Sequence, residues 1–483
     1  MSDIAFQSAT QLAAAIKAKK IGALELLDLY LDRVERHNPT LNCYVALDAE
    51  GARERARQAD EATAKGQSWG PLHGVPTSLK ESYNYPGLPT TWGVPALRDN
   101  IATEPALAAR RLMDAGAVIF GKTNVPLTLG DWQSYNEIYG TTNNPWDLGR
   151  SPGGSSGGTA AALAAGLTGL DAGSDIGGSI RNPAHFCGVY GHKPTWNLLP
   201  PRGHAMGPTV APTDLSVIGP LARSAEDLAL ALGVMAGPNE LDANGYQLDL
   251  APPRATRLGD FRVAVWADDP LAPVDAAVAD HIETVAQLLE KAGAKVDRAA
   301  RPDYDTAAAH QTYLTLLFGI VTAREPAEAF EQARHDVAAL ADDDRSIQAM
   351  TTRGRVLHYR DWLGANEFRT QVRWAWHRFF GDHDVVIAPI STTPAFKHDH
   401  EPDQTKRTLP VNGAQGAYLD NLYWAGLVTA PLLPATAAPV GFSDGLPVGV
   451  QIIGDHLNDR TTIEFARLLT RETGGFVAPK GYD

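Results

Sequence analysis

The chain has 483 residues, 44% hydrophobic and 20% charged, which is the balance of an ordinary soluble globular protein able to bury a substantial core. Its 42 Lys and Arg against 56 Asp and Glu leave a net charge of −14, and an acidic surface of that size argues against binding nucleic acid over a broad face. Cys43 and Cys187 offer no disulfide framework, the opening MSDIAFQSATQLAAAIKAKK lacks the pattern of a signal peptide, and no run of 18 apolar residues could span a membrane, so a cytoplasmic location is expected.

In chain order, residues 8–19, 22–37 and 48–65 read as helices; in the second, Leu24, Leu27, Tyr30, Leu31 and Val34 recur at helical spacing. Residues 74–80 read as a short strand that ends on Lys80, a position where a lone lysine is usually a solvated charge. A helix over 105–116 followed by a strand over 117–120 gives an αβ alternation, which predicts an α/β sandwich with a largely parallel sheet. The connection 129–139 carries Trp132 and Tyr135, which suit either a pocket wall or core packing.

Residues 151–182, SPGGSSGGTAAALAAGLTGLDAGSDIGGSIRN, hold the chemistry. The loop Pro152–Gly158 can turn tightly because of its glycines, and the alanine-rich run from Thr159 to Gly166 favours a helix. That places Ser155 and Ser156 near a helix N-terminus. Ser179 follows 24 residues after Ser155, inside Asp175-Ile176-Gly177-Gly178-Ser179, where successive N–H groups can converge on an anion. A hydroxyl beside such donors is what acyl transfer requires. Three other readings compete. A phosphate loop would need the Gly-Lys-Ser/Thr ending that is missing here. A nucleophile elbow at Ser155 matches the G-x-S-x-G pattern but needs a strand leading into it, whereas 143–152 reads as coil. A purely structural turn is the third.

Beyond this stretch, a helix is expected from Ile180 through Phe186, with Arg181 able to reach back to Asp175. Residues 238–260 read as a loop or linker, 262–266 as a strand, 274–292 as a helix, 304–380 as mostly helix and 384–389 as a strand. Lys397-His398-Asp399-His400-Glu401 has a faintly metal-like look, but its charged neighbours and the lack of a spaced partner cluster favour a solvated loop.

Taken together, GVPTSLKES (74–82), GKTNVP (121–126), GTTNNPWDLGRSPGG (140–154), GGSSGG, GSDIGGSIRNPAHFCGVYGHKPT (173–195) and LPATAAPVGFSDGLPVGVQIIG (433–454) resemble the amidase signature family. One local departure is Tyr83-Asn84-Tyr85, where an aspartate-asparagine run is more usual. By length alone about three domains would be expected. The resemblance instead implies a single amidase signature domain over 1–483, with its signature core at about 70–220 and a variable, substrate-side helical insertion at about 304–380. It implies an α/β/α sandwich around a twisted mixed, largely parallel sheet. It also implies Lys80 as base, Ser155 as bridging serine and Ser179 as nucleophile, with an oxyanion hole formed by the N–H groups of Ile176, Gly177, Gly178 and Ser179. Asp175 and Arg181 would pair to fix that turn, and Leu129, Trp132 and Trp424 would meet the substrate. Trp92 and Trp196 also fall in or near these blocks and speak for an apolar pocket. The expected reaction is hydrolysis of a small-molecule amide with an apolar or aromatic portion, through an acyl-serine. It needs no metal or organic cofactor and no nucleic-acid or membrane partner, and a homodimer is left open. Two alternatives stay open: the amidase component of a tRNA-dependent amidotransferase, which acts only within an assembly, and an α/β-hydrolase-type esterase using Ser155.

Overall fold

A computed structural model describes residues 4–207 and 209–482. The first helix, α1 (Ala9–Lys17), begins at Ser8, whose hydroxyl accepts from Gln11 N–H while the Gln11 side chain accepts from Ser8 N–H. Helix α2 (Ala23–Leu41) buries Leu26, Leu27, Tyr30 and Val34 along one face. It runs four residues past the expected end because it stops only at Asn42, in the left-handed conformation that asparagine tolerates at a C-terminus. Strand β1 (Tyr44–Leu47) leads into α3 (Ala49–Ala64), whose Asp60 carboxylate accepts from Ala23 and Leu24 N–H at 2.6 and 3.0 Å and so caps α2.

Next come β2 (Pro76–Lys80), α4 (Leu107–Asp114), β3 (Val118–Thr123) and a small hairpin, β4 (Tyr135–Asn136) with β5 (Gly140–Thr141). The serine loop opens α5 (Gly157–Ala164), which is buried on every side; its small residues let the backbone approach neighbouring chain. At Gly158 even a Cβ would come within 2.3 Å of the Asn124 nitrogen. Strand β6 (Asp171–Asp175) ends at the second glycine turn, and α6 (Arg181–Cys187), β7 (Tyr190–Lys193), β8 (Val217–Ala222) and α7 (Ala225–Met235) complete this half. The other half comprises β9 (Arg262–Val265), α8 (Ala276–Lys291) and β10 (Lys295–Asp297). Four helices follow, α9 (Thr306–Val321), α10 (Ala327–Val337), α11 (Ile347–Arg355) and α12 (Tyr359–Phe379). The chain closes with β11 (Val385–Pro389), the hairpin β12 (Thr408–Val411) and β13 (Ala414–Ala417), α13 (Asn421–Thr429), the hairpin β14 (Ala435–Ser443) and β15 (Leu446–Ile453), and α14 (Asp459–Thr473).

The central sheet has eight strands in the order β10-β9-β11-β15-β14-β7-β8-β6, and a three-stranded sheet, β1-β3-β2, lies beside it. The two join where Ser78 N–H donates to Leu170 and Gly169 N–H to Pro76, so β2 runs parallel to the entry of β6. The sheet is mixed, as expected. In the central sheet β9 runs parallel to both β10 and β11, and in the three-stranded sheet β2 runs parallel to β3, each arising from local αβ alternation. From β11 across to β6 every pairing is antiparallel, which corrects the expectation of a largely parallel sheet there. The physical reason is the β14–β15 hairpin and the insertion of β8 between β6 and β7. Helices α6, α8 and α14 pack on the β14–β15 pair. A second apolar cluster, including Trp132, Phe186, Tyr313, Leu314, Phe396 and Tyr418, fastens the helical segment α9–α12 over the end of β6. Among the described residues no helix is long and apolar enough to cross a membrane.

Candidate active site

Strand β2 delivers Lys80 into the interior, where its side chain is fully buried. Its Nζ is hydrogen-bonded to three hydroxyls, Ser155 Oγ at 2.6 Å, Ser156 Oγ at 3.0 Å and Ser174 Oγ at 3.0 Å. Among the described residues no carboxylate lies within ion-pairing distance of that nitrogen. Burial therefore pushes the ammonium down to about 7, against the weaker opposing pull of Asp175 and Asp171. Near neutrality such an amine can take a proton from a hydroxyl it touches.

The serine loop and the second turn meet through Ser156 N–H, which donates to the Ser179 carbonyl at 3.2 Å. The peptide bond between Gly154 and Ser155 is cis, a feature that no pattern in the sequence announces. The Ile176–Ser179 turn is fixed from three directions. Gly178, at φ 94°, adopts a conformation that favours glycine, and its N–H donates to Asp175 Oδ1 at 2.9 Å. Trp132 Nε1 donates to the Gly177 carbonyl at 2.8 Å, and the Tyr313 hydroxyl donates to the Ile176 carbonyl at 3.0 Å. With the carbonyls held in this way, the N–H groups of Ile176, Gly177 and Ser179 have no acceptor among the described residues. Asp175 is locked by Arg181 in a bidentate pair, Nη2 to Oδ1 at 2.8 Å and Nε to Oδ2 at 3.0 Å. Burial alone would raise the Asp175 carboxyl; the Arg181 charge and hydrogen bonds outweigh it and hold it at about 2. Arg181 in turn donates to Gln451 and Thr429, which ties the turn to β15 and α13.

Ser155, Ser174 and Ser179 open on a cavity of about 450 Å³ whose apolar walls include Trp92, Leu129, Ile176, Met206 and Val321. This is the size of site that takes a small organic molecule. The Amidase family profile matches residues 25–463. The chain belongs to the amidase family. It is 33% identical to an indoleacetamide hydrolase of Bradyrhizobium diazoefficiens over 470 residues, which is 97% of this chain and 86% of that one. It is 31% identical to a glutamyl-tRNA(Gln) amidotransferase subunit of Carboxydothermus hydrogenoformans, over 98% of both chains. Among solved structures, 6-aminohexanoate cyclic dimer hydrolase superposes over the whole length of both chains with a TM-score of 0.79 at 26% identity.

As a member of this amide-hydrolysing family, the chain brings Lys80, Ser155 and Ser179 to one place from three separate elements. Several expectations need correction. Trp424 does not line the cavity: it is fully buried in α13 and donates to the Ala272 carbonyl at 3.0 Å, because that helix is apolar on all sides. Trp132 acts on the turn, through its indole N–H, and is not a lining residue. Trp196 packs on the second apolar cluster and donates to the Thr213 carbonyl at 3.2 Å. The Gly178 N–H, expected to face an oxyanion, is occupied by Asp175. Leu129 and Trp92 do line the cavity, with Thr128 and Leu129 both at positive φ. In the 397–401 loop, His400 stacks on Tyr135 and His398 bonds Asn143, and among the described residues no group of His, Cys, Asp and Glu could hold a metal ion. The parts played by Ser156, Ser174 and Tyr313 were missed. Only Ser156 had a signal, its place beside Ser155.

Because the Asp175–Arg181 pair is fully buried, Asp175→Asn is expected to cost about 3–5 kcal/mol in stability, leaving an unbalanced guanidinium in the interior. It should also lower kcat by loosening the turn. Chemical denaturation and steady-state kinetics on the same sample check both effects.

Proposed function

We propose that the chain hydrolyses small carboxylic amides bearing an apolar or aromatic portion, by way of an acyl group on Ser179. The observation that carries the reading is the 2.6 Å contact of a buried, unpaired Lys80 with Ser155. Ser179 Oγ attacks the carbonyl carbon and its proton passes to Ser155 as the proton of Ser155 passes to neutral Lys80. The oxyanion is received by the N–H groups of Ile176, Gly177 and Ser179. The C–N bond then breaks as the Lys80 proton returns through Ser155 to the leaving nitrogen, which leaves poorly unless protonated. Water next attacks the Ser179 ester, giving its proton along the same path. The acid departs and Ser179 regains its hydroxyl.

The substrate class is supported by the apolar cavity walls and by likeness to a relative named for indoleacetamide. A second reading, the amidase component of a tRNA-dependent amidotransferase, is favoured by the relatives of that name. The net charge of −14 is unfavourable for docking tRNA, although a partner protein could carry that contact. We take the chain, from 1 to 483, to act as one unit in the cytoplasm, where its two buried thiols, Cys43 and Cys187, would stay reduced. A homodimer is compatible with this. The purified chain alone is expected to release ammonia from phenylacetamide or indoleacetamide at least tenfold faster than from glutamine. Comparable rates on glutamine, or activity only after adding tRNA and a partner protein, would replace this reading with the second.

A further inference from the structure

The residue after Lys80 has a separate task. Glu81 opens the turn that follows β2, and its side chain bonds a different set of groups from the serines around Lys80. It is fully buried, and its carboxylate accepts from Thr91 N–H at 2.5 Å, Trp92 N–H at 2.9 Å and the Tyr139 hydroxyl at 3.4 Å. Trp92 sits at φ 56°, a left-handed conformation that is unfavourable for any side chain with a Cβ. The indole N–H of Trp92 is buried yet has no hydrogen-bond partner among the described residues. The ring is therefore placed from its backbone and not by its own polar atom. From the neighbouring strand Lys122 supports the same loop, donating to the Pro89 carbonyl and to Thr90 Oγ1. The Trp92 ring also meets His204 in a tilted contact, 5.1 Å between centroids, and His204 is itself held by Ser82 at 2.9 Å.

We infer that Glu81 is a specificity-determining positioning residue: it fixes Trp92 as the cavity wall against which a flat aromatic part of the substrate packs. The inference rests on the amidase reading above for what enters the cavity. Strand β2 and its continuation thereby set two things at once, the base through Lys80 and the aromatic wall through Glu81.

The test uses the full chain, with phenylacetamide and propionamide as substrates and phenylacetate as a calorimetric probe. Glu81→Gln and Trp92→Gly are each expected to lower kcat/KM for phenylacetamide about tenfold or more, mainly through KM, and to weaken phenylacetate binding in parallel. The loss on phenylacetamide should exceed any loss on propionamide by at least about threefold. Because glycine accepts a positive φ without help, adding Glu81→Gln to Trp92→Gly should change selectivity no further. That double variant also carries the test if Glu81→Gln alone does not fold. Equal losses on both amides would make Glu81 a general support of the strand and overturn the inference, as would unchanged phenylacetate affinity. A wild type that binds phenylacetate but cleaves neither amide would sink the amidase reading alone, while the binding data still decide the role of Glu81.

Discussion

Ser179→Ala is expected to abolish acyl-enzyme formation and to lower amide turnover on the order of 10⁴-fold or more, with the fold intact. The size follows from what is removed. Ser179 is a small, nearly buried side chain facing the cavity, so its hydroxyl contributes chemistry and little packing. Ser155→Ala should behave differently. It interrupts the path between Ser179 and Lys80 but leaves the attacking oxygen and the turn in place, so a trace of acylation should persist. Intact-mass and peptide mapping after reaction with a slow aryl ester or a fluorophosphonate separates the two. The adduct is expected on the peptide containing Ser179. An adduct on Ser155 in the wild type would reverse the roles and favour the esterase alternative.

Lys80→Ala is expected to cut turnover by roughly 10²–10⁴-fold, the usual contribution of a general base. The pH dependence gives a sharper test. Because burial lowers the ammonium to about 7, the active, neutral amine forms as pH rises through that value. Wild-type kcat/KM should therefore climb with pH up to about 7 and level off above it. Below that point it should fall about tenfold per pH unit. An exposed lysine would carry the same rise on to about pH 10. A flat profile between pH 6 and 10 would mean that Lys80 does not act as base. In Lys80→Ala the rise near 7 should vanish, which distinguishes loss of the base from a general loosening of the site.

The parts of this site that were legible in the sequence are those in which a residue type and its immediate neighbours decide the outcome. The glycine turn at 177–178, the helix after Ser156 and the reach of Arg181 to Asp175 are of that kind. Ser174 was illegible because it meets Lys80 only where β6 is laid beside β2, a contact 94 residues apart in sequence. Trp424 was misjudged because α13 is buried all round, so no polar face indicates which side meets a cavity. The antiparallel middle of the sheet did have a local sign: Asp444-Gly445, at φ 49° and 79°, is a two-residue hairpin turn joining β14 to β15. The insertion of β8 between β6 and β7 had none, since strand order depends on distant pairings.

The hydroxyl of Tyr313 reaches from α9, in the region expected to vary, to the Ile176 carbonyl of the turn beside Ser179. A chimera that grafts the α9–α12 segment of another amidase onto this chain would then exchange more than a recognition surface. Unless the donor supplies a phenol at the same position, the graft would also release one of the three tethers on that turn. Swaps made to broaden substrate range would carry a hidden penalty in rate, and restoring tyrosine at 313 in a sluggish chimera should recover speed without altering which amides it prefers. The same linkage would channel divergence: new preferences could arise most freely through the wall residues that face the cavity from other segments, such as Leu129 and Met206, which leave that tether untouched.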